Sequence, residues 1–174
     1  MWRNLRAPGR VISAGTDDRS PSLGEIRTNL LAAVWHLGCN LIGMPYPTAH
    51  QLNQITETII GAAIRVHETL GPGLLESVYL ACLTFELAEA GVSVETQRPI
   101  PVEYRGVRLE CGFRADLIVE RAVIVEVKSL ERLAPVHQAQ MITYLRLTGC
   151  LVGLILNFKH AKLEFERIVL SNSR

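Results

Sequence analysis

The sequence predicts a mixed α/β fold, one sheet flanked by helices, and three observations carry that expectation. Apolar residues recur at helical spacing from Leu52 to Leu70 and again from Leu75 to Ala90. The period then drops to two between Val92 and Val119, the spacing of a pleated strand. Beyond a turn, the β-branched run Val123 to Val127 leads to a helical stretch and to a second apolar run, Cys150 to Asn157. Helix, helix, several strands, helix, strand, strand is the order of a layered α/β domain.

In the first helix, Ile55, Ile59, Ala62, Ala63, Val66 and Leu70 form one apolar stripe. Gly71-Pro72-Gly73 stops it, because proline cannot continue a helix and glycine accepts left-handed geometry. The second helix shows a stripe of Val78 or Tyr79, Leu83 and Leu87 and stops at Gly91. Strands are expected at Val92–Glu95, Ile100–Tyr104 and Val107–Cys111, with a turn at Arg105-Gly106, and in the alternating stretch Phe113–Val119. A turn near Glu120-Arg121 precedes Val123–Val127, whose composition suits a central strand. Pro135 to Leu147 is the third helix, with proline in its first turn. Cys150–Asn157 is a buried strand and Leu163–Leu170 an edge strand.

The domain so patterned spans residues 51–174. Residues 1–50 carry Gly, Pro, Ser, Arg and Asp punctuation and one apolar burst, and are expected to be a poorly ordered leader with one short helix around Glu25–Leu37. Met44, just ahead of the regular pattern, is an alternative natural start. The burst from Leu30 to Met44 is broken by His36 and Asn40 and falls short of the about 20 apolar residues a membrane span requires. No secretory signal is evident after the basic start, so a cytoplasmic protein is expected, with no membrane partner.

With 174 residues, 48% hydrophobic and 20% charged, the chain has the balance of a globular protein with one core. Its net charge of +1 gives no global basic field, so any nucleic-acid surface must be local. Cys39, Cys82, Cys111 and Cys150 are scattered without metal-knuckle spacing, as expected of reduced thiols.

Chemistry concentrates on Val123-Ile124-Val125-Glu126-Val127-Lys128. Alternation sends Val123, Val125 and Val127 to one face and Ile124, Glu126 and Lys128 to the other. Burying either charge alone would be costly. Asp116, on the preceding strand, would return beside Glu126 after the turn. Two carboxylates with retained waters and phosphate oxygens suit Mg²⁺ or Mn²⁺, a cation that lowers the pKa of bound water. Lys128 would position that water or stabilise developing charge. An ordinary surface ion pair explains Glu-x-Lys by itself; the added acid brings the two readings level. Glu76 either stabilises its helix N-terminus or serves as a third acid. His137, Gln140 and Tyr144 form a polar stripe on the later helix, with Ile142 and Leu145 on the core side. That stripe is either solvated or turned to the site.

Gly73-Leu74-Leu75-Glu76-Ser77-Val78-Tyr79 is a full GxxExxY motif. It is followed by Arg114-Ala115-Asp116, Glu126-Val127-Lys128, Gln140 with Tyr144, and Leu156-Asn157-Phe158. In this ordered set the chain resembles the GxxExxY protein family, a branch of the PD-(D/E)xK nuclease-like superfamily, over about Leu52 to Val169. The resemblance implies a restriction-endonuclease-like core in which Asp116 and Glu126 match the metal-binding acids and Lys128 the catalytic lysine. Glu76 matches the acid of the first core helix, as a further metal ligand. Gln140 and Tyr144 match the helix after the ExK strand, and Tyr79 closes the motif as a supporting residue. Ala115 stands where the superfamily's name has proline.

The expected function is therefore a metal-dependent nuclease acting on DNA or RNA, with Arg98, Arg105, Arg108, Arg114, Arg132 and Arg146 as candidate phosphate contacts. The alternative is a catalytically silent nucleic-acid- or partner-binding module of the same fold, such as a subunit of a defence, repair or mobile-element assembly.

Overall fold

The computed structural model describes residues 47–170. Helices α1 (Ala49–Leu70) and α2 (Glu76–Glu89) precede strands β1 (Val94–Tyr104), β2 (Val107–Val119) and β3 (Val123–Lys128). Helix α3 (Pro135–Thr148) and strands β4 (Val152–Asn157) and β5 (Glu164–Val169) follow. The five strands lie in chain order, β1-β2-β3-β4-β5. All neighbours are antiparallel except β3 and β4, which are parallel and joined by α3. This is the expected mixed sheet with flanking helices. The leader helix around Glu25–Leu37 lies outside the described residues. Among those described, no helix is long and apolar enough to cross a membrane.

Several boundaries moved for identifiable reasons. Helix α1 starts at Ala49 rather than Leu52 because Thr48 and Gln51 form a capping box. The Gln51 amide donates to Thr48 Oγ1 at 3.2 Å, and the Thr48 amide donates to Gln51 Oε1 at 2.8 Å. Two short strands expected at Val92–Glu95 and Ile100–Tyr104 are one strand. β2 runs unbroken beside them and pairs with Arg98 and Pro99 across the expected gap. An edge strand tolerates Pro99, and the register shifts only further on, between Ile100 and Val102, opposite Gly112 at φ 76°. Arg105 and Gly106 form the expected tight turn, both at positive φ, as a two-residue hairpin requires.

The sheet separates two cores. Leu117, Val119, Val123, Val125, Val127, Val152, Leu154 and Leu156 pack against Ile59, Ala62, Ala63, Val66, Tyr79, Leu83 and Leu87 of α1 and α2. On the other side Ile118, Ile124 and Ile155 meet Met141, Tyr144 and Leu145 of α3. The α3 stripe thus differs from expectation: Tyr144 belongs to the core side together with Met141, and Ile142 is only half-buried. The cause is Gly153. A Cβ there would lie 2.6 Å from Met141 Cγ, so its absence admits Met141 and fixes the rotation of α3. In α2 the stripe is Tyr79, Leu83 and Leu87, with Val78 exposed.

Candidate active site

Strand β3 keeps its alternation. Val123, Val125 and Val127 enter the α1/α2 core, whereas Ile124 enters the α3 core and Glu126 follows on that side. Glu126 is buried, and Lys128 Nζ donates to its Oε2 at 3.0 Å. The β2–β3 ladder pairs Leu117 with Val125, and one step further Asp116 stands opposite Glu126. There the Asp116 amide approaches Glu126 Oε1 at 3.4 Å, and Asp116 Oδ2 accepts the Val127 amide at 3.0 Å. Gln97, at φ 49° in β1, donates to Asp116 Oδ1 at 2.9 Å.

These contacts set the electrostatics. Burial pushes the Glu126 carboxyl above its ordinary value of 4.5, and the Asp116 charge pushes the same way; Lys128 pulls back without cancelling them. Burial works to lower the Lys128 pKa, but the charge and hydrogen bond of Glu126, with Asp116 and Glu76 behind, outweigh it and hold the amine above 10.5. Lys128 therefore stays an ammonium at neutral pH. Burial likewise raises the Tyr144 phenol, and its Gln140 hydrogen bond opposes the rise.

Glu76 reaches the rim of this cluster by way of a built corner. Gly73 stands at φ 100°, a region that favours glycine. Tyr79, fully buried, donates its hydroxyl to Gly71 O at 2.7 Å and accepts the Leu74 amide at 3.1 Å. Its ring stacks on Phe158 at 4.4 Å between centroids. The corner aims Glu76 Oε1 at the Ser129 amide, 2.9 Å away, immediately after Lys128. Gly73, Glu76 and Tyr79 thus act together to tie the start of α2 to the end of β3.

On the α3 side, Gln140 Nε2 donates to Tyr144 Oη at 2.6 Å, and Tyr144 lies near enough to feel the charges of Glu126 and Lys128. His137 is not gathered with them: its Nδ1 accepts the Ala134 amide at 3.0 Å and closes the first turn of α3. Sequence reasoning gave no role to Asn157 and overlooked Gln97 and Ser129. Asn157 is fully buried opposite Lys128 and holds Leu130 from both sides, accepting its amide at 3.0 Å and donating to its carbonyl at 2.9 Å. A buried polar residue ending the otherwise apolar β4 was the available signal.

The donor set suits a hard divalent cation. Two oxygen acids face one another, and one is buried where a second negative charge is unfavourable, a conflict that a cation relieves. Among the described residues no three His, Cys, Asp or Glu side chains gather at metal-binding spacing. Glu76 accepts the Ser129 amide at the rim of this pair of acids.

A family model of the PD-(D/E)XK nuclease superfamily matches residues 53–168. The chain belongs to this superfamily. Among solved structures, it is similar to an alkaline exonuclease (LHK-Exo) from Laribacter hongkongensis, at 14% identity and a TM-score of 0.37, over 88% of this chain and 74% of that one. It is also similar to the protein solved as SSO0001, at 14% identity and a TM-score of 0.39, over 83% of this chain and 77% of that one. No curated protein sequence matches it. In this PD-(D/E)XK chain the position before Asp116 is Ala115, fully buried in the α3 core.

Proposed function

We propose that this chain is a metal-dependent nuclease that hydrolyses phosphodiester bonds of DNA or RNA, and within its superfamily a GxxExxY-type member. The observation that carries the reading is the Lys128–Glu126 pair at 3.0 Å, on one face of a central strand, with Asp116 opposite. Asp116 and Glu126 would hold Mg²⁺ or Mn²⁺, which supplies a polarised phosphate and a more acidic bound water. Lys128, kept protonated by its acidic neighbours, offers its ammonium to the charge that develops on the phosphate oxygens. Glu76 orients the backbone just past Lys128 and adds negative charge there. Gln140 and Tyr144 form a fixed polar pair at the site wall, placed to hydrogen-bond substrate or water. The acting unit is the domain of residues 51–174, and the setting is cytoplasmic.

One observation favours the silent binding module instead. Both Asp116 oxygens already accept protein donors, Gln97 and Val127. A cleavage assay decides between the two readings. The protein is incubated with single- and double-stranded DNA and RNA, with Mg²⁺, Mn²⁺ or a chelator, beside Lys128→Ala and Glu126→Gln. Cleavage by the unaltered protein alone, abolished by chelator, is expected. Equal products from all three proteins would sink the nuclease reading.

A further inference from the structure

The β1–β2 hairpin extends well past the rest of the sheet. Strand β2 covers Val107–Val119, yet β3 pairs only with Leu117, Ile118 and Val119. Ile100 is the last residue of β1 in the core, and residues 103–109 are all exposed. At about 3.3 Å per residue, the ribbon from Ile100 to Tyr104 reaches about 13 Å further. Its root touches the candidate site: Gln97 donates to Asp116, and Phe113 meets Tyr144 edge-on at 5.9 Å.

The chemistry of this ribbon is not that of a solvated loop. Tyr104 is 59% exposed, Val107 56% and Leu109 40%. The Arg105 guanidinium lies over one face of the Tyr104 ring, 5.3 Å from its centroid, which keeps a cation against the exposed ring at the tip. The turn carries Arg105 and Arg108 close to Tyr104, within a hairpin, Val94 to Val119, whose four arginines are matched by four acids. An exposed ring with an arginine beside it serves stacked bases next to a phosphate chain. Base pairs in a duplex keep their faces covered, so only unpaired bases can use such a ring.

We infer that the β1–β2 hairpin is a substrate arm for single-stranded nucleic acid, in which Tyr104 stacks on an unpaired base and Arg105 meets the adjoining phosphate. The inference rests on the nuclease reading for its direction, since the arm leads to Asp116, but the binding it describes requires no cleavage.

The test measures fluorescence anisotropy of labelled oligodeoxythymidylate and of a blunt duplex of equal length, in chelator, so that no bond is cut. All proteins carry Lys128→Ala. Tyr104→Ala is expected to weaken single-strand binding about tenfold, within the 1–3 kcal/mol of one base–aromatic stack. Tyr104→Phe, which keeps the ring, should bind as the parent does. Arg105→Asn, chosen because asparagine tolerates the positive φ of the turn, should shrink the salt slope by about 0.7, the value of one single-strand phosphate. Melting temperatures confirm that each variant is folded. Unchanged single-strand affinity in folded Tyr104→Ala, or equal affinity for strand and duplex, would overturn the arm. Failure of the cleavage assay together with Tyr104-dependent binding would overturn the nuclease reading and leave the arm standing. Retained cleavage with Tyr104-independent binding would do the reverse.

Discussion

The two faces of the sheet share strands but not composition. On the α1/α2 face, every residue that β3 and β4 contribute is aliphatic, from Val123 to Val127 and from Val152 to Leu156. On the α3 face, the same strands begin with Ile124 and Gly153 and end with Glu126, Lys128 and Asn157. The first face can therefore close completely against its helices. The second closes only at one end, where Met141 sits over Gly153, and leaves charged groups at the other. Separating stability from chemistry needs no more than the parity of a strand, because neighbouring residues point to opposite sides.

That contrast can be broken most directly by exchanging a charge for its neutral counterpart. Lys128→Ala and Glu126→Gln are expected to lower the cleavage rate by at least about 10²–10³-fold, the scale of removing one preorganised charge or donor. Leu154→Ala, on the opposite face and fully buried, should cost about 2–5 kcal/mol of stability. Its cleavage rate per folded molecule should be unchanged, read from kcat at a temperature where melting curves show the variant folded. A tenfold loss of kcat in that folded variant would show that the two faces are not independent.

Asn157 sharpens the comparison because it serves both purposes. It lies in the strand pairing opposite Lys128, and it satisfies both backbone groups of Leu130 in a buried setting. Asn157→Ala leaves those groups without partners, for a cost of about 1–3 kcal/mol. Because Leu130 lies two residues beyond Lys128, kcat should also fall while the substrate KM stays near its original value. Urea melts and steady-state kinetics on the same preparation read both effects. Gly153→Ala should cost a similar or smaller amount, about 1–3 kcal/mol, by displacing Met141. Paired with Met141→Ala, the loss should be less than the sum of the single losses, since both act on one contact.

Most of the fold was legible because it is written in local periods. The stripes of α1 and α2, the Gly-Pro-Gly corner, the turn at Arg105-Gly106 and the apolar β3 all follow from spacing and turn chemistry. Glu126 and Lys128 followed from strand parity, and Asp116 from the turn that returns its strand beside theirs. What escaped depends on partners distant in sequence. Asn157 meets Leu130 across 27 positions, and Glu76 meets Ser129 across 53, so no window along the chain contains either pair. The α3 stripe was misassigned for a related reason. Tyr144 looked like part of a polar surface, but the space opened by Gly153 turned the helix so that Met141 and Tyr144 face inward. Continuity of β1 was hidden because Pro99 argues locally against a strand, and only the long partner β2 overrides it.

The smallest expected effect concerns pH and stability without metal. Burial and the Asp116 charge raise the Glu126 carboxyl above 4.5, so the folded protein holds that proton more tightly than the unfolded chain does. Stability from this group is then complete below 4.5 and is lost as pH rises through the raised value, because ionisation must occur next to Asp116 in a buried place. Lys128 has the same sense in another range. Its raised pKa contributes stability that is present below 10.5 and disappears only as pH climbs through its folded value. Glu126→Gln cannot ionise, so its melting temperature should gain on that of the unaltered protein as pH rises from the acid range to neutrality, by an amount on the order of a few °C. Saturating Mn²⁺ should erase the difference by stabilising only the protein that keeps the carboxylate, as binding to the native state alone requires. Parallel melting curves for the two proteins across that range, with and without the ion, would mean that Glu126 is ionised at no cost, and the buried end of the α3 face would then lack the strain on which the proposed cation site rests.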